Sequence, residues 1–538
     1  VTGLSDVADL ITEFGAYARP HRVALALLDR GGVTLAELIR ETALPRRGVE
    51  ELLERLADDL VRDHERLGLT PATAPAYRER FGLAGLLPDD HDRPPAELII
   101  RMQTIIDAAP APVRSFDHVP ATAETVLRRA RWLDRTFDLA GATVLFVGDH
   151  DLTSVGLTLV APAARPVVVD LDERLLAFLE QQPGPIHCRW ADLRFGLPDD
   201  LRATADLIFT DPPYTPDGVR LFLLRGLAGL RDRRLGRLLL AYGFGSHQPA
   251  LGLAVQRELT SLALAYEAIL PHFNRYHGAQ AVGSAADLYQ LRPTRGSWAA
   301  VDRGGRAPLA IYTHGENSVE SSGPGVEAAE LIAAGAGPDP LPVAALVTPE
   351  RSRPAVRTEP PRVDLAEVLA GPGVIRDARS AAVAVDATAD PGPWLARILL
   401  AQSGPRIAVA VPNGHPDLAD QAGQQALRAL VAAKWELRFR RSTPGPRLAI
   451  VEAIRVDPAD LSPADTFRRA ILDGAHRSLE NAWRDGLVKA SRRAGAPLDR
   501  DAARDRTAAE LPAELRETRP ITLPRSRLAA LLARANDT

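Results

Sequence analysis

Residues 143–180 read TVLFVGDHDLTSVGLTLVAPAARPVVVDLDERLLAFLE. Two short apolar runs rich in β-branched residues, Thr143 to Val147 and Val167 to Asp170, each break at an acidic turn before a stretch with helical spacing. The alternation continues downstream. Strands are expected at Ile186 to Trp190, Leu207 to Thr210 and Leu238 to Tyr242, most followed by a helix, with an antiparallel finish around Tyr266 to Leu270 and Leu288 to Leu291. Strands joined through helices form a parallel sheet covered on both faces, so residues 141–301 read as a doubly wound, Rossmann-like α/β domain.

Outward from this segment the pattern changes. Residues 1–90 carry short amphipathic helices. Leu10, Ile11, Phe14 and Tyr17 share one face, and Val49, Leu52, Leu53 and Leu56 line a helix that starts near Pro45. The spacing suits a winged-helix-like domain. Glu50, Glu51 and Glu54 stand beside Arg46, Arg47 and Arg55, which largely cancels attraction for phosphate and favours a structural or dimer-forming role. Residues 91–140 read as a helical connector, and residues 302–362, rich in Gly, Pro, Ser and Glu, as a linker. A second α/β pattern at 363–460 resembles the later half of the same sheet type. No glycine-rich turn follows its strands, so it reads as a degenerate partner domain, with residues 461–538 as a helical tail.

A chain of 538 residues exceeds what one core serves, and 46% hydrophobic with 25% charged residues is a globular composition. The net charge of -4 offers no general attraction to polyanions, so nucleic acid is not expected as a partner. Cys188 is the only cysteine, which excludes an intrachain disulfide and a thiolate metal cluster and fits a reducing compartment, the cytoplasm by default. No run approaches the ~18 apolar residues of a membrane span, and no metal site is expected.

The chemistry gathers at the carboxyl ends of the expected strands, where ligands of doubly wound sheets lie. The first turn, VGDHDLTS (147–154), has one glycine and two carboxylates, Asp149 and Asp151. Phosphates need bare backbone N–H groups, so this turn speaks against a dinucleotide and for a cationic ligand such as a sulfonium with an attached amine. Asp170, at the end of the second strand, is placed to bind a ribose, with Asp172 beside it, and Asp192 to address an adenine amino group. The fourth strand runs into TDPPYTPDG (210–218). Pro212 and Pro213 stiffen a turn that presents Asp211, and Tyr214 adds an aromatic face. An acceptor amine must lose a proton before it attacks an electrophilic carbon, so Asp211 is the candidate base.

The segments FDHVPATAETVLRRA (116–130), VGDHDLTSVGL (147–157), VVVDLDERLLAFLE (167–180), TDPPYT (210–215) and HFNRYH (272–277) resemble the branched-chain polyamine synthase family, N4-bis(aminopropyl)spermidine synthase, over roughly residues 1–300. The resemblance implies a class I methyltransferase-type sheet behind an N-terminal winged-helix-like domain. It also implies aminopropyl transfer from decarboxylated S-adenosylmethionine to a polyamine nitrogen, with release of methylthioadenosine. Asp211 matches the family's catalytic acid, with Tyr214 beside it. Gly148, Asp149, Asp151, Asp170, Asp172 and Asp192 fall at the donor site, and Pro212, Pro213, Asn274 and Tyr276 on the acceptor side. His150 stands where the family usually has an aspartate and His118 where it has a glutamine. Past about residue 310 no counterpart aligns.

Two other readings stay open. One is methyl or 3-amino-3-carboxypropyl transfer from intact S-adenosylmethionine to a small amine. The other is a DNA-binding or DNA-modifying protein, since DPPY also occurs in nucleic-acid amino-methyltransferases; the acidic turn and the missing basic surface count against it. Charge alone favours the decarboxylated donor beside Asp149 and Asp151, with His150 narrowing the preference as pH falls. A homodimer is expected.

Overall fold

Thr143–Val147 forms a strand because four of its five residues can be wholly buried and none needs a polar partner. The computed structural model describes residues 2–14, 18–83, 87, 94–137, 139–278, 283–303, 311–312, 326–338, 341–349, 360–375 and 380–534. Its sixteen named strands are β1 (Val33–Thr34), β2 (Leu60–Asp63), β3 (Arg66–Leu69), β4 (Thr143–Val147), β5 (Arg165–Asp170), β6 (His187–Trp190), β7 (Leu207–Thr210), β8 (Arg237–Tyr242), β9 (Leu264–Arg275), β10 (Ala285–Pro293), β11 (Val343–Thr348), β12 (Arg362–Asp364), β13 (Ala382–Asp386), β14 (Arg406–Pro412), β15 (Trp435–Arg441) and β16 (Leu448–Arg455).

The central sheet runs β6-β5-β4-β7-β8-β10-β9. Strand β7 is parallel to both β4 and β8, while β10 is inserted antiparallel between β8 and β9. This order, with its reversed last hairpin, is the class I methyltransferase-type Rossmann topology. The chain divides into two compact units. The first comprises residues 1–167, 182–186 and 205–303, the second residues 168–181, 187–204 and 304–538.

At the start of the first unit, the helices Arg19–Arg30, Leu35–Thr42 and Arg46–Leu56 pack with a three-stranded antiparallel sheet, β1-β3-β2. The helix Arg46–Leu56 buries Val49, Leu52, Leu53 and Leu56, and pairs Arg46 with Glu50 and Arg55 with Glu51 on its other face. Residues 94–137 hold two long helices, Ala96–Ala108 and Ala123–Thr136. The second helix lies against Thr153–Val160, the helix after β4, and Gly156 allows this approach. A Cβ there would stand 2.6 Å from Val126 Cγ1.

The second unit contains a six-stranded sheet, β12-β11-β13-β14-β16-β15. Strands β12, β11, β13 and β14 are parallel, and β16 is antiparallel to β14 and β15. The central sheet's pattern recurs here short of one strand, so more than its later half is present. β11 and the helix Ala328–Ala336 lie in the stretch 302–362 read as linker. The flanking Gly-Ala-Gly-Pro-Asp-Pro masks a strand of six residues, because short apolar runs between turn signals carry little periodicity. The described part of the C-terminal 78 residues is helical, with helices at Pro463–Asp473, Leu479–Arg493, Arg500–Glu510 and Arg525–Ala533.

Candidate active site

In the first unit, Val147 of β4 and Thr210 of β7 are register partners, so the turns after them leave the sheet side by side. Gly148 opens the first turn at φ +73°, a conformation that favours glycine. Thr122 caps the helix Ala123–Thr136. The Thr122 N–H bonds to the Arg275 carbonyl at 2.9 Å, and Thr125 Oγ1 accepts the Arg275 N–H at 2.9 Å. These bonds tie the helix to the end of β9.

Arg129, on the buried face of that helix, is wholly enclosed. Its Nε donates to Asn274 Oδ1 at 2.7 Å, Nη1 to Asp151 and to Thr153 Oγ1 (3.0 Å), and Nη2 to Asp211 Oδ2 (2.7 Å) and the Tyr276 hydroxyl (3.0 Å). All five guanidinium donors are therefore engaged. Tyr276 donates to Asp211 Oδ2 at 2.7 Å, and Tyr214 lies 3.1 Å from Asp211 Oδ1 and 3.0 Å from the Tyr276 oxygen. Thr153 in turn donates to Asp151 Oδ1 at 3.0 Å.

One cation thus serves two buried carboxylates, and these separate. Burial opposes ionisation of Asp151, but Arg129 outweighs it and, with His150 and Thr153, holds the carboxyl down at about 2. Burial pushes Asp211 up; Arg129 acts against that and the charge on Asp151 adds to it. Tyr214 and Tyr276 are raised well above the ordinary phenol value, by burial first and then by Asp211, so they stay protonated donors. Two carboxyls driven apart in this way are the usual basis for distinct acid–base roles.

Several residues read as ligand-facing also make hydrogen bonds within the fold. The Asp149 carboxylate accepts from Ser154 N at 3.2 Å and from Ser154 Oγ, which ties the turn after β4 to the first turn of the helix Thr153–Val160. Asn274 is fully buried, and its Nδ2 donates to the carbonyls of Ala286 (3.2 Å) and Asp287 (3.1 Å). Because its Oδ1 accepts from Arg129 Nε, Asn274 orients the guanidinium. Pro212 and Pro213, within the turn after β7, are buried.

In the second unit, Asp170 Oδ1 accepts the Asp172 N–H at 2.8 Å, and Asp172 caps the helix Glu173–Leu179 while pairing with Arg174 at 2.7 Å. Asp192 accepts from Arg194 N (3.0 Å), Nε (2.8 Å) and Nη2 (2.6 Å), and from Trp394 Nε1 (2.9 Å). Four donors occupy a carboxylate expected to address adenine, and both residues that supply them, Arg194 and Trp394, are themselves buried. The turn after β13, Asp390-Pro-Gly-Pro-Trp394, echoes Asp211-Pro-Pro-Tyr214 after β7. Asp390 binds the N–H groups of Gly392 (2.7 Å), Trp394 (2.9 Å) and Leu395 (2.8 Å), and His415 Nε2 at 3.0 Å, and so serves as a helix cap.

Sequence reasoning passed over Arg129. The available signal was a charged residue on an apolar stripe, three after Val126 and four before Leu133, where burial demands a partner. Trp394 carried no comparable signal, since nothing in the sequence relates it to Asp192.

Residues 97–293, which include every member of the Arg129 cluster, match the model of the branched-chain polyamine synthase A C-terminal domain. The chain is 38% identical over 182 residues to an uncharacterised protein of Methanocaldococcus jannaschii, covering 33% of this chain and 45% of that protein. It is 36% identical over 141 residues to the N(4)-bis(aminopropyl)spermidine synthase of Thermococcus kodakarensis, covering 25% of this chain and 40% of that enzyme. The crystal structure of the Thermus thermophilus branched-chain polyamine synthase with N4-aminopropylspermidine and 5'-methylthioadenosine is 24% identical, with coverage of 60% of this chain and 98% of that one and a TM-score of 0.37. The matched segments span less than half the length of the first two relatives. The resemblance read from the sequence is borne out within residues 97–293, and residues 1–96 lie outside the matched model.

Proposed function

We propose that this chain transfers an aminopropyl group from decarboxylated S-adenosylmethionine to a polyamine nitrogen and releases methylthioadenosine. The observation that carries this reading is the state of Asp211. Its Oδ2 is filled by Arg129 and Tyr276, whereas Oδ1 has Tyr214 alone at 3.1 Å, which leaves acceptor capacity for an amine N–H. Asp151 balances the charge of Arg129, so Asp211 keeps the basicity that burial confers.

In the reaction the amine lone pair bonds to the aminopropyl carbon next to the sulfonium. The carbon–sulfur bond breaks, its electron pair stays on sulfur as a neutral thioether, and the nitrogen proton passes to Asp211. The names of the relatives support the acceptor class. Gly148 is a proposed donor contact of the first unit; within the second unit, Asp172 and Asp192 hold the turns after β5 and β6.

A second reading, alkyl transfer from intact S-adenosylmethionine, is favoured by one observation. Asp149 is engaged with Ser154 and Asp151 with Arg129, which lessens the repulsion an α-carboxylate would meet. Incubation of the full chain with spermidine and each donor, followed by mass analysis, separates the two. An aminopropyl gain from the decarboxylated donor is expected; a methyl or aminocarboxypropyl gain would replace the first reading with the second.

A further inference from the structure

Tyr276 stands at the end of the β9–β10 hairpin, one residue past β9, and its backbone is gripped from two sides. Its N–H bonds to the Ser284 carbonyl at 3.0 Å. Across from that bond, Tyr276 is the antiparallel bridge partner of Ala121, and the His277 N–H bonds to the Pro120 carbonyl at 2.8 Å. The helices at the start of the first unit supply a third contact. Gly283, buried and at φ +78°, approaches Ala43 so closely that a Cβ there would stand 2.8 Å from the Ala43 carbonyl carbon and closer still to its oxygen. Gly283 adjoins Ser284, whose carbonyl holds the Tyr276 N–H.

The Ala43 side of this contact is firmly held. Ala43 ends the helix Leu35–Thr42 at φ +58°, with its N–H bonded to the Ile39 carbonyl at 2.9 Å. Thr42 Oγ1 donates to the Leu38 carbonyl at 2.6 Å and accepts the Leu44 N–H at 3.2 Å. Leu38, Ile39 and Leu44 belong to the core of residues 1–83, so the turn cannot shift without disturbing that core. We infer that the Ala43–Gly283 contact is a positioning contact for the reaction: the N-terminal helices seat the hairpin, through Gly283 and Ser284, so that Tyr276 delivers its hydroxyl to Asp211 Oδ2. This rests on the reading of Asp211 as the base that receives the amine proton. The Tyr276 hydroxyl donates to Asp211 at 2.7 Å and accepts from Arg129 at 3.0 Å, so a displaced hairpin withdraws a donor from the carboxylate. Burial pushes Asp211 up, and the Tyr276 hydrogen bond is among the contacts that act against it.

Turnover of spermidine and decarboxylated S-adenosylmethionine by the full chain tests this with two substitutions on opposite sides of the contact. Gly283→Ala sets a methyl against the Ala43 carbonyl, and Thr42→Val loosens the Ala43 turn from within the N-terminal core. Gly283→Ala should lower kcat ~10-fold or more with the donor KM within ~2-fold, because a misplaced proton donor slows the chemical step and leaves donor binding alone. Thr42→Val should lower kcat less, in the same sense. In both, the ascending limb of the pH–rate profile should move to higher pH, as it should in Tyr276→Phe, since the ionised form of Asp211 loses a donor. Combined with Tyr276→Phe, either substitution should cost less than ~2-fold more, because the group through which it acts is gone. Full additivity with Tyr276→Phe, an unmoved pH limb, or a raised KM at unchanged kcat would each overturn the inference while leaving the aminopropyl reading intact. A Gly283→Ala chain that does not fold leaves the decision to Thr42→Val. A wild type that transfers no aminopropyl group would overturn the reading itself, and this inference with it.

Discussion

Three carboxylates and one guanidinium share the buried strand ends of the first unit, and their roles follow from how each is satisfied. Asp151 is held at about 2, below the ordinary ~3.9 of an aspartate. A depressed carboxyl contributes stability that is present above about pH 4 and lost as pH falls through about 2. Asp211 is shifted the other way, so its ionised form is disfavoured in the folded chain and removing its charge relieves the fold. Asp151→Asn should therefore destabilise by ~3 to 5 kcal/mol, the cost of leaving Arg129 without its main counter-charge, whereas Asp211→Asn should melt at or above the wild-type temperature near neutral pH. Thermal denaturation of both variants checks the split, and equal losses would mean that Arg129 divides its charge evenly. In turnover the order reverses: Asp211→Asn should lose ~10²- to 10⁴-fold, the worth of a general base. Near-normal turnover would remove Asp211 from the mechanism.

At the scale of elements, the turn after β7 is held by what Gly218 lacks. A Cβ there would lie 2.7 Å from the Pro213 carbonyl and 2.9 Å from Thr215 Oγ1, the cap of the helix Pro216–Gly229. Gly218→Ala should push the Asp-Pro-Pro-Tyr turn outward, costing ~1 to 3 kcal/mol as overpacking does. It should also lower kcat, since Asp211 moves with the turn; unchanged kcat would show that the backbone absorbs the methyl locally. The other turn carries a contrasting expectation. Asp149 accepts the Ser154 N–H in the first turn of the helix Thr153–Val160, so Asp149→Ala should cost ~1 kcal/mol while leaving the preference between intact and decarboxylated donors within a few-fold. Competition binding tests this, and a collapse of the preference would restore Asp149 as a donor-facing charge. The alternation that announced β4, β5, β7 and β8 was legible because each is short, apolar and ended by a polar turn. β11 was not, for its apolar run stands in a Gly- and Pro-rich stretch that reads as linker.

For the whole molecule, the second unit is assembled from distant pieces of chain. Within it Asp192 meets Trp394, Arg189 donates to Thr518 at 2.6 Å, Glu173 accepts the Arg525 N–H at 2.8 Å, and the Arg397 guanidinium lies 4.5 Å from the Trp190 ring centroid. A chain ending at residue 303 would strip these partners from residues 168–181 and 187–204 and leave buried charges uncompensated. Such a chain should be insoluble or lack a cooperative transition by circular dichroism; a well-folded product would show that those residues need nothing from 304–538. Trp394→Phe is the milder test. It keeps an aromatic ring beside Phe195 but removes one of the four donors to Asp192, at a cost of ~1 to 2 kcal/mol.

The sequence alone determined the sheet type, because hydrophobic periodicity and turn chemistry are local properties. It also marked Asp211, since a carboxylate between a strand end and two prolines is recognisable wherever the chain goes. Which of the aspartates keep free charge was decided only in three dimensions. Asp149, Asp151 and Asp192 look alike in the sequence as acids after strands. In the fold the first accepts from Ser154, the second pairs with an arginine 22 residues away and the third is filled by Arg194 and a tryptophan 202 residues away. A buried carboxylate's role depends on which donors reach it, and donors brought together across such separations leave no periodic trace in the sequence.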